Sequence, residues 1–392
     1  MENYSKRAWA EIDLDAVDYN YKMIKSKLKP HTKILCVLKA DAYGHGAPFL
    51  YKEYEKLGAD WFGVSSIDEA IQLRKSGATI PILIFGYTPP EMVKELAHFN
   101  ISQSLFSKNY AYKLIEVCKK ENVKIKVHIK LDTGMSRIGF FCQTNEGIDN
   151  SVEEIAELNE ASELDFEGIF THFSVADNMT DEKEYTLKQF DSFMKVINLL
   201  KYKGIEFPLK HCCNSGGIVS FPQMHLDMVR AGLVLYGLYP SKEIKQNLDL
   251  KPVMRLKSVI SQIKTVPKGT SIGYGRTFVA DKDKKVATVP LGYADGYSTY
   301  FSNKAQMMVC GKRASILGRV CMDQLMLDVS DIEEATENSE VIVFGYEKDD
   351  VTVDELSKIA KNINYEMICL IGKRVPRIYY RGSEIKGKLS YV

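Results

Sequence analysis

The sequence predicts an N-terminal (β/α)8 TIM-like barrel, an α/β fold, followed by a C-terminal β-rich domain. Short apolar runs alternate with amphipathic stretches over the first two-thirds of the 392 residues, which indicates strands separated by helices. Several of these runs are continuously apolar, as expected for parallel strands covered on both faces. From Met254 onward the apolar segments are separated by glycines, which is typical of β structure. We therefore predict a barrel over residues 1–245 and a β-rich domain over residues 246–392. The first residues of the chain are candidates to belong to the β-rich domain instead of the barrel.

Eight apolar runs form the predicted barrel. They are Lys33–Lys39, Trp61–Ser65, Ile80–Phe85, Ile101–Phe106, Val123–Leu131, Phe166–His172, Pro208–Cys212 and Asp227–Arg230. The stretches between them carry apolar residues at helical spacing, most clearly in Tyr185–Lys203. In the second domain the predicted strands are Leu256–Val266, Lys285–Leu291, Gln306–Cys310, Ser315–Leu317, Gln324–Val329 and Glu340–Phe344, and a helix is predicted over Val353–Asn362.

Composition argues against several classes of protein. The 52 basic and 51 acidic side chains nearly balance, whereas nucleic-acid-binding proteins usually carry a basic surplus. No apolar run reaches the roughly 18 residues that span a bilayer, and the polar N-terminus lacks the apolar segment of a signal peptide. The eight cysteines are scattered, without C-x-x-C or H-E-x-x-H spacing, so we expect neither a disulfide framework nor a metal site. We therefore expect a cytoplasmic enzyme that binds neither nucleic acid nor a membrane.

Lys39 is the most informative single residue. It ends a predicted buried strand, where a lysine is unfavourable unless it has a function, and the active sites of such barrels lie at that end of the strands. A lysine there can form a Schiff base with an aldehyde cofactor, and burial lowers its pKa toward useful basicity. The alternative is a solvated lysine at the strand end, the usual case for a lysine taken at random. The neighbouring Tyr43, Gly44 and Gly46 favour the functional interpretation.

The segment Val37–Gly46 resembles the pyridoxal-phosphate attachment site of bacterial alanine racemases. Further segments resemble the same family, in the same order and along nearly the whole chain: Ala8–Leu14, Asp132–Gly139, Gly168–Phe173, Asn214–Ser215, Met228–Leu233, Leu235–Gly237, Ser271–Gly275, Gly292–Gly296, Gly318–Gln324 and Arg374–Arg377. An ordered set of this length is far more specific than any one motif. The resemblance implies an enzyme that uses pyridoxal 5'-phosphate and forms a homodimer with active sites at the subunit interface.

The resemblance also implies a reaction with two bases. Lys39 would hold the cofactor and act on one face of the substrate Cα, and Tyr274 of the partner subunit would act on the other face. In the family the lysine serves the D-enantiomer and the tyrosine serves the L-enantiomer. Taken without the motif, Tyr274 is one of 22 tyrosines, and a packed strand aromatic with a satisfied hydroxyl is the favoured interpretation.

The matching positions supply the other expected binding residues. Cofactor contacts are expected from Lys39, Tyr43, His172, Asn214, Ser215, Arg230, Gly232, Leu233 and Tyr365. Substrate contacts are expected from Arg137, Met322, Tyr293 and Asp323, and Lys130 matches a lysine that is carbamylated in some members. Arg230 would face the pyridine nitrogen, with His172 between it and Tyr274. Taken alone, His172 fits a buried core histidine and Arg230 fits a barrel-end salt bridge.

The expected activity is the interconversion of L-alanine and D-alanine, which would supply D-alanine for peptidoglycan. A serine-preferring racemase of the same family is the nearest alternative, although such relatives lack the aromatic residue that Tyr365 matches. A decarboxylase of similar two-domain architecture is disfavoured because Tyr274 and Arg230 fit inversion. A non-catalytic pyridoxal-phosphate carrier is disfavoured by the presence of the second domain.

Overall fold

The computed structural model describes Tyr4 and residues 6–392, which divide into two compact units. The barrel unit comprises Asp18–Ala42 and Ala47–Lys251. The β unit comprises the described residues up to Val17, Tyr43–Gly46 and Pro252–Val392.

The strands are numbered in chain order. They are β1 (Ala8–Asp13), β2 (Lys33–Val37), β3 (Trp61–Val64), β4 (Ile82–Ile84), β5 (Ile101–Leu105), β6 (Ile125–Asp132), β7 (Phe140–Phe141), β8 (Leu164–Phe170), β9 (Leu209–His211), β10 (Met228–Ala231), β11 (Met254–Val259), β12 (Gln262–Val266), β13 (Ser271–Ile272), β14 (Phe278–Val279), β15 (Lys284–Val289), β16 (Gln306–Val309), β17 (Lys312–Ser315), β18 (Leu325–Asp328), β19 (Glu340–Phe344), β20 (Arg377–Arg381) and β21 (Glu384–Leu389). The right-handed α-helices are Leu14–Lys25, Ala47–Leu57, Ile67–Ser76, Val93–His98, Lys108–Glu121, Asn145–Leu158, Lys183–Tyr202, Ser215–Ser220, Lys242–Asn247, Val353–Ala360 and Asn364–Cys369.

The barrel unit is built on eight parallel strands. They are hydrogen-bonded in the order β10-β2-β3-β4-β5-β6-β8-β9, and the short β7 pairs with β6. At the two ends of this order, backbone bonds from Asp227 N to Lys210 O (3.2 Å) and from Arg230 N to Cys213 O (3.0 Å) join the segments of β9 and β10. All eight predicted barrel strands are therefore confirmed, and so is the α/β barrel.

Burial follows from the apolar character of these runs. Every residue of β3, β4, β5 and β10 is buried, as expected for strands covered on one side by helices and on the other by the barrel interior. The surrounding helices begin where their sequence supplies a cap, since Ser66, Ser107 and Thr144 each accept a backbone N–H from the first turn through the side-chain oxygen.

The β unit contains three sheets. A seven-stranded sheet has the order β17-β16-β19-β11-β1-β20-β21, β12-β15-β18 form a second sheet, and β13-β14 form a third. The first strand of the chain lies between β11, to which it is antiparallel, and β20, to which it is parallel. The β-rich character predicted for the C-terminal part is therefore confirmed.

Two predicted strands of the β unit are wrong in their bounds. The predicted strand Ser315–Leu317 overlaps β17 only at Ser315, and Ile316 forms an isolated bridge to Leu327. The segment Leu256–Val266 forms two strands, because β11 pairs with β19 in the seven-stranded sheet and β12 pairs with β15 in the three-stranded sheet. Ile260 and Ser261 lie between the two strands, and the Ser261 N–H donates to Thr288 O (2.9 Å). Within the described residues, no helix combines the length and the apolar character that crossing a bilayer requires.

Candidate active site

The residues predicted for the barrel lie at the carboxyl ends of its strands. They are Lys39 after β2, Lys130 in β6, Arg137 in the loop after β6, His172 after β8, Asn214 and Ser215 after β9, Arg230 in β10, and Gly232 and Leu233 after β10. Because these strands are parallel, the residues that follow them meet at one end of the barrel, where active sites of this fold lie.

Arg230 is the most completely anchored of these side chains. It is 4% exposed, and its guanidinium bonds to groups at the ends of β8 and β9. Nη1 donates to His211 Nδ1 (2.9 Å) and His211 O (3.1 Å), while Nη2 donates to Thr171 O (2.8 Å), Cys212 O (2.9 Å) and His172 Nδ1 (3.2 Å). Burial lowers the pKa of Arg230 to about 10, so the guanidinium stays protonated at neutral pH. A buried cation therefore occupies this end of the barrel, and no carboxylate of the described residues is directly bonded to it.

His172 is held in one tautomer by this cation. Since Arg230 can only donate, the Nδ1 atom of His172 is the acceptor and Nε2 carries the proton of the neutral ring. Burial lowers the pKa of His172 well below its ordinary range, and the positive charges of Arg230, Lys130, Arg137 and Lys39 lower it further, in that order. These five predicted residues therefore lie within electrostatic reach of one another, and His172 is neutral.

The other imidazole bonded to Arg230 begins a chain through the barrel interior. His211 Nε2 lies 3.0 Å from His128 Nδ1, and His128 Nε2 faces Glu167 Oε2 at 3.9 Å. Glu167 accepts from Ser102 Oγ (2.5 Å) and pairs with Lys126 Nζ (3.0 Å). The chain thus runs from a buried cation, through two imidazoles, to a carboxylate nearer the amino ends of the strands.

The two linking histidines are neutral. Burial lowers the pKa of His128 to about 3, with a smaller contribution from Arg230, and burial lowers the pKa of His211 well below its ordinary range. The His211 Nδ1 atom accepts from Arg230, so its Nε2–H donates to His128 Nδ1 and the His128 proton lies on Nε2, which makes no hydrogen bond within the described residues and is 3.9 Å from Glu167 Oε2. Gly168 provides the space for this arrangement, because a Cβ at that position would come within 2.5 Å of His128 Nδ1.

Lys130 is the second unusual cation. It is 4% exposed, and its Nζ donates to Leu131 O (2.5 Å). Burial is the main cause that lowers the pKa of Lys130 to about 7; Arg230 and Arg137 contribute in the same direction, and Asp132 and Cys142 act in the opposite direction. A substantial fraction of Lys130 is therefore a neutral amine at neutral pH.

The chain makes a left-handed turn directly after Lys39. Ala40, Asp41, Ala42 and Tyr43 have φ values of 51°, 56°, 54° and 52°. None of the four is glycine, and successive L-residues in this region are sterically unfavourable. Backbone strain of this kind clusters at functional sites, where surrounding contacts maintain it.

The predicted phosphate-binding residues of the barrel are brought together. The Gly232 N–H donates to Ser215 Oγ (3.2 Å), so the loop after β10 contacts the start of the helix Ser215–Ser220. Asn214 caps that helix by accepting from Gly217 N (3.0 Å) and donates its amide to Phe173 O (3.1 Å). Leu233 begins a short 3-10 turn that ends at Tyr236. Asn214 is thus a structural link between strand ends as well as a predicted contact.

Two predicted cofactor residues belong to the β unit. The side chains of Tyr43 and Tyr365 lie within electrostatic reach of each other, since burial raises the pKa of Tyr43 and both Cys369 and Tyr365 raise it further. Gly44, with φ of +81°, packs so closely against Ile368 that a Cβ would overlap the Ile368 carbonyl oxygen. Within the β unit, Gly44 is thereby fixed against the helix that contains Tyr365.

The remaining predicted residues are exposed in this chain. Tyr274 is 72% exposed and lies on a 3-10 turn after Gly273, whose φ of +77° suits glycine. Tyr293 and Met322 are 45% and 52% exposed, and Arg137 is also exposed. Asp323 is ion-paired with Arg374 at 2.8 Å.

The loops that carry Tyr293 and Met322 are joined by backbone bonds. Tyr293 N donates to Cys321 O (3.0 Å), and Ala294 N donates to Met322 O (3.0 Å). A Cβ at Gly292 would overlap both acceptor carbonyls, so only glycine permits this approach. The two predicted substrate residues therefore share one rigid support.

Asp295 anchors this support. Its fully buried carboxylate is bonded by the Arg7 guanidinium, accepts from Gly292 N (3.0 Å), and lies 3.7 Å from Arg374 Nε. We call the group formed by Arg7, Asp295, Gly292 and Arg374 the loop clamp. The sequence analysis did not predict the supporting roles of Arg7 and Asp295. The position of Asp295, a charged residue inside the Gly292–Gly296 motif, could have indicated its role.

Comparison with known proteins identifies the family. Residues 12–240 match the profile described as "Alanine racemase, N-terminal domain", and residues 253–379 match "Alanine racemase, C-terminal domain". The chain belongs to the alanine racemase family. Membership places it among the amino-acid racemases, a class of isomerase.

Individual relatives are similar to this chain over nearly its whole length. An alanine racemase of Desulfovibrio desulfuricans is 43% identical over 97% of this chain and 100% of its own length, and alanine racemase 1 of Clostridium acetobutylicum is 42% identical with 100% of both chains covered. Among solved structures, alanine racemase of Clostridium difficile is similar with a TM-score of 0.93, 40% identity and 100% of both chains covered. The Bacillus anthracis enzyme solved with bound L-Ala-P has a TM-score of 0.91 and 33% identity, covering 100% of this chain and 99% of that one.

Proposed function

We propose that this protein interconverts L-alanine and D-alanine with pyridoxal 5'-phosphate held by Lys39. The single observation that carries the proposal is the bond between Arg230 and neutral His172 within reach of Lys39, Lys130 and Arg137. This is a cationic, preorganised site at the end of a barrel where catalysis takes place in this fold. The names of the relatives, all alanine racemases over the full length, support alanine as substrate.

The barrel residues fit the proposed cofactor. All the described hydrogen bonds of Arg230 use Nη1 and Nη2, which leaves its Nε–H as the donor for a pyridine nitrogen. We assign the cofactor phosphate to the Ser215 hydroxyl, which lies beside the Gly232 N–H, and to the backbone N–H groups of Gly232 and Leu233. We assign Tyr43, Tyr365 and Asn214 to cofactor binding as well. When bound, pyridoxal phosphate stabilises negative charge at the substrate Cα.

The protein residues supply the geometry of inversion. Proton removal from one face of Cα and delivery to the other require a group on each face, and we assign these roles to Lys39 and to Tyr274 of the partner subunit. The support for Tyr274 is its 72% exposure, which makes its hydroxyl available to a second copy of the chain. An ordinary tyrosine has a pKa near 10, so it needs a donor to stabilise its deprotonated form. The Nε2–H of neutral His172 is the donor that we assign to it.

Arg230 donates and does not give up its proton at neutral pH. A carboxylic acid facing the ring nitrogen would transfer a proton, whereas a guanidinium with a pKa of about 10 leaves that nitrogen hydrogen-bonded but unprotonated. We infer that this limits the accumulation of charge on the ring and favours simple proton exchange at Cα over side reactions.

We assign the substrate carboxylate to Arg137 and the Met322 backbone N–H, with Asp323 and Tyr293 beside them. The neutral fraction of Lys130 supports its carbamylation, because an unprotonated amine adds to carbon dioxide with release of one proton. The product is an anion that can orient Arg137. Intact mass spectrometry at neutral pH should show an added carbon dioxide that disappears on acidification and in Lys130→Met, and its absence from the wild-type protein under both conditions would contradict the assignment.

Alanine is the proposed substrate rather than serine. Tyr365 matches the aromatic residue that serine-preferring relatives lack, and Tyr293 adds a second aromatic ring. One hydroxyl in such a pocket changes discrimination by only about 1–3 kcal/mol, so serine should react more slowly rather than not at all.

We also propose the cellular setting. Within the described residues none of the eight cysteines forms a disulfide, which supports a reducing cytoplasm. We propose that the protein is a homodimer and that its product, D-alanine, serves peptidoglycan synthesis. We assign residues 1–245 to the domain that binds the cofactor and residues 246–392 to the domain that supplies Tyr274.

A racemisation assay in deuterated water tests the proposal. Purified protein with pyridoxal phosphate should convert each alanine enantiomer into the other and place deuterium at Cα. Lys39→Ala should lose both the cofactor's visible absorbance and activity, while Tyr274→Phe should keep the absorbance and lose most turnover. Unchanged turnover in Tyr274→Phe would exclude the two-base assignment, and carbon dioxide release without inversion would indicate a decarboxylase.

A further inference from the structure

Glu69 contacts the turn that follows Lys39. It lies in the first turn of the helix Ile67–Ser76, where its own N–H bonds to the capping Ser66 side chain. Its Oε1 accepts from Ala40 N at 2.6 Å, and its Oε2 accepts from Ser65 N at 2.7 Å and from Ser65 Oγ at 2.9 Å. The carboxylate therefore links the backbone after Lys39 to the loop between β3 and the next helix.

The turn needs such an anchor. Ala40, Asp41 and Ala42 have φ and ψ values near +50°, a region that disfavours residues with a Cβ. An isolated segment of these residues would leave this region for right-handed or extended backbone. The described contacts that oppose this are the bond to Glu69, the bond from Ala42 N to Leu38 O (2.8 Å), and the bond from Ala47 N to Asp41 Oδ1 (2.8 Å).

The bond to Glu69 acts at the peptide that joins Lys39 to Ala40. Its donor is the N–H of that peptide, so the bond sets the orientation of the plane next to the Lys39 Cα. Leu38, on the other side, is fixed to β3 through its N–H bond to Gly63 O (2.8 Å). Lys39 is thus held between a strand contact and a carboxylate contact, and both fix the direction in which its Cα–Cβ bond leaves the backbone.

We propose that Glu69 is a positioning residue for Lys39, which presents the lysine amine for cofactor attachment by holding the Ala40–Ala42 turn in its left-handed conformation. The proposal rests on the assignment of Lys39 as the cofactor lysine. It requires no contact between the Glu69 carboxylate and the cofactor or the substrate.

The test measures cofactor attachment and not only turnover. Glu69→Met keeps the side-chain length and helix propensity but removes both oxygen acceptors. We expect the variant holoenzyme to lose pyridoxal phosphate to a trapping reagent about tenfold faster than wild type, or more. We expect the variant stripped of cofactor to regain it at Lys39 about tenfold more slowly, or more. Borohydride reduction followed by peptide mass analysis measures attachment at Lys39. Asp68→Asn, a neutral replacement of the adjacent exposed carboxylate, should behave as wild type.

A rescue variant distinguishes positioning from a general loss of stability. Glycine adopts positive φ without the Cβ penalty, so Ala40→Gly in the Glu69→Met background should restore much of the attachment rate. Glu69→Ala serves as a second variant if Glu69→Met does not fold. Attachment at wild-type rates in a folded Glu69 variant, or no improvement on adding Ala40→Gly, would overturn the proposal. A wild-type protein that attaches the cofactor at Lys39 but does not racemise alanine would refute the proposed function alone.

Discussion

Arg230 shows at the scale of single residues how a cation can be kept inside a protein. Burial without compensation would be costly, yet five acceptors from Thr171, His172, His211 and Cys212 surround its two terminal nitrogens. Two of these acceptors are imidazole nitrogens, and an imidazole can accept only while neutral. The arginine and the histidines therefore fix each other's protonation states, and removing any one of them alters the others.

Acid sensitivity follows from the buried histidines. His128, His172 and His211 have pKa values below the ordinary 6.5, that of His128 at about 3, so in the unfolded chain they bind protons at a higher pH than in the folded protein. Their contribution to the free energy of unfolding is full above about pH 6.5 and falls as the pH drops below it, by up to about 1.4 kcal/mol per pH unit for each histidine. For His128 the loss extends to about pH 3.

Urea denaturation at several pH values measures this dependence. His128→Asn removes one titrating group while its amide oxygen can still accept from His211, so its free energy of unfolding should fall less steeply between pH 6 and pH 4 than that of wild type. Equal slopes for the two proteins would show that His128 is not held neutral in the folded state.

At the scale of elements, the loop clamp holds together the loops that carry two of the proposed substrate residues. It joins the loop of Tyr293, the loop of Met322 and the start of β1 through the buried carboxylate of Asp295. Loops usually are mobile, but a loop that positions substrate groups must keep its geometry. The clamp therefore explains how two exposed residues can be held without being buried.

Removing Arg7 tests the clamp. Arg7→Ala leaves the Asp295 carboxylate buried with weaker compensation, and we expect the free energy of unfolding to fall by roughly 1–3 kcal/mol and KM for alanine to rise more than kcat falls. Adding Asp295→Asn should recover part of the stability, because a neutral amide needs no cation. Lys6→Ala, at the exposed neighbouring position, is the matched control. No difference between Arg7→Ala and Lys6→Ala would show that the clamp contributes nothing.

Elements were predictable from sequence where the signal was local. All eight barrel strands carry continuous apolar runs, so their presence and order were found, with ends shifted by a few residues. The break between β11 and β12 was missed because the run contains no glycine or proline to mark it, and only the different pairing partners separate the two strands. The site residues placed by motifs lie at the strand ends, but Glu69, Glu167 and Arg7 were missed. Each acts on a residue distant in sequence, and the turn after Lys39 contains no glycine that would have revealed its positive φ values.

At the scale of the whole molecule, the proposed active site needs a second copy of the chain. The barrel unit carries Lys39. The β unit carries Tyr274, Tyr293 and Met322, and these three side chains are exposed. Exposed aromatic and apolar side chains at predicted substrate positions are expected if a partner subunit covers them. A symmetric dimer would then contain two equivalent sites, each with a lysine from one copy and a tyrosine from the other.

Mixing two inactive variants tests this claim most directly. Lys39→Ala and Tyr274→Phe chains, co-expressed with different tags and purified as the mixed species, should form dimers in which one site has an intact lysine and an intact tyrosine. We predict that this species recovers about half of the wild-type turnover per dimer, while each variant alone stays nearly inactive. A mixed dimer as inactive as its two parents would contradict the shared site.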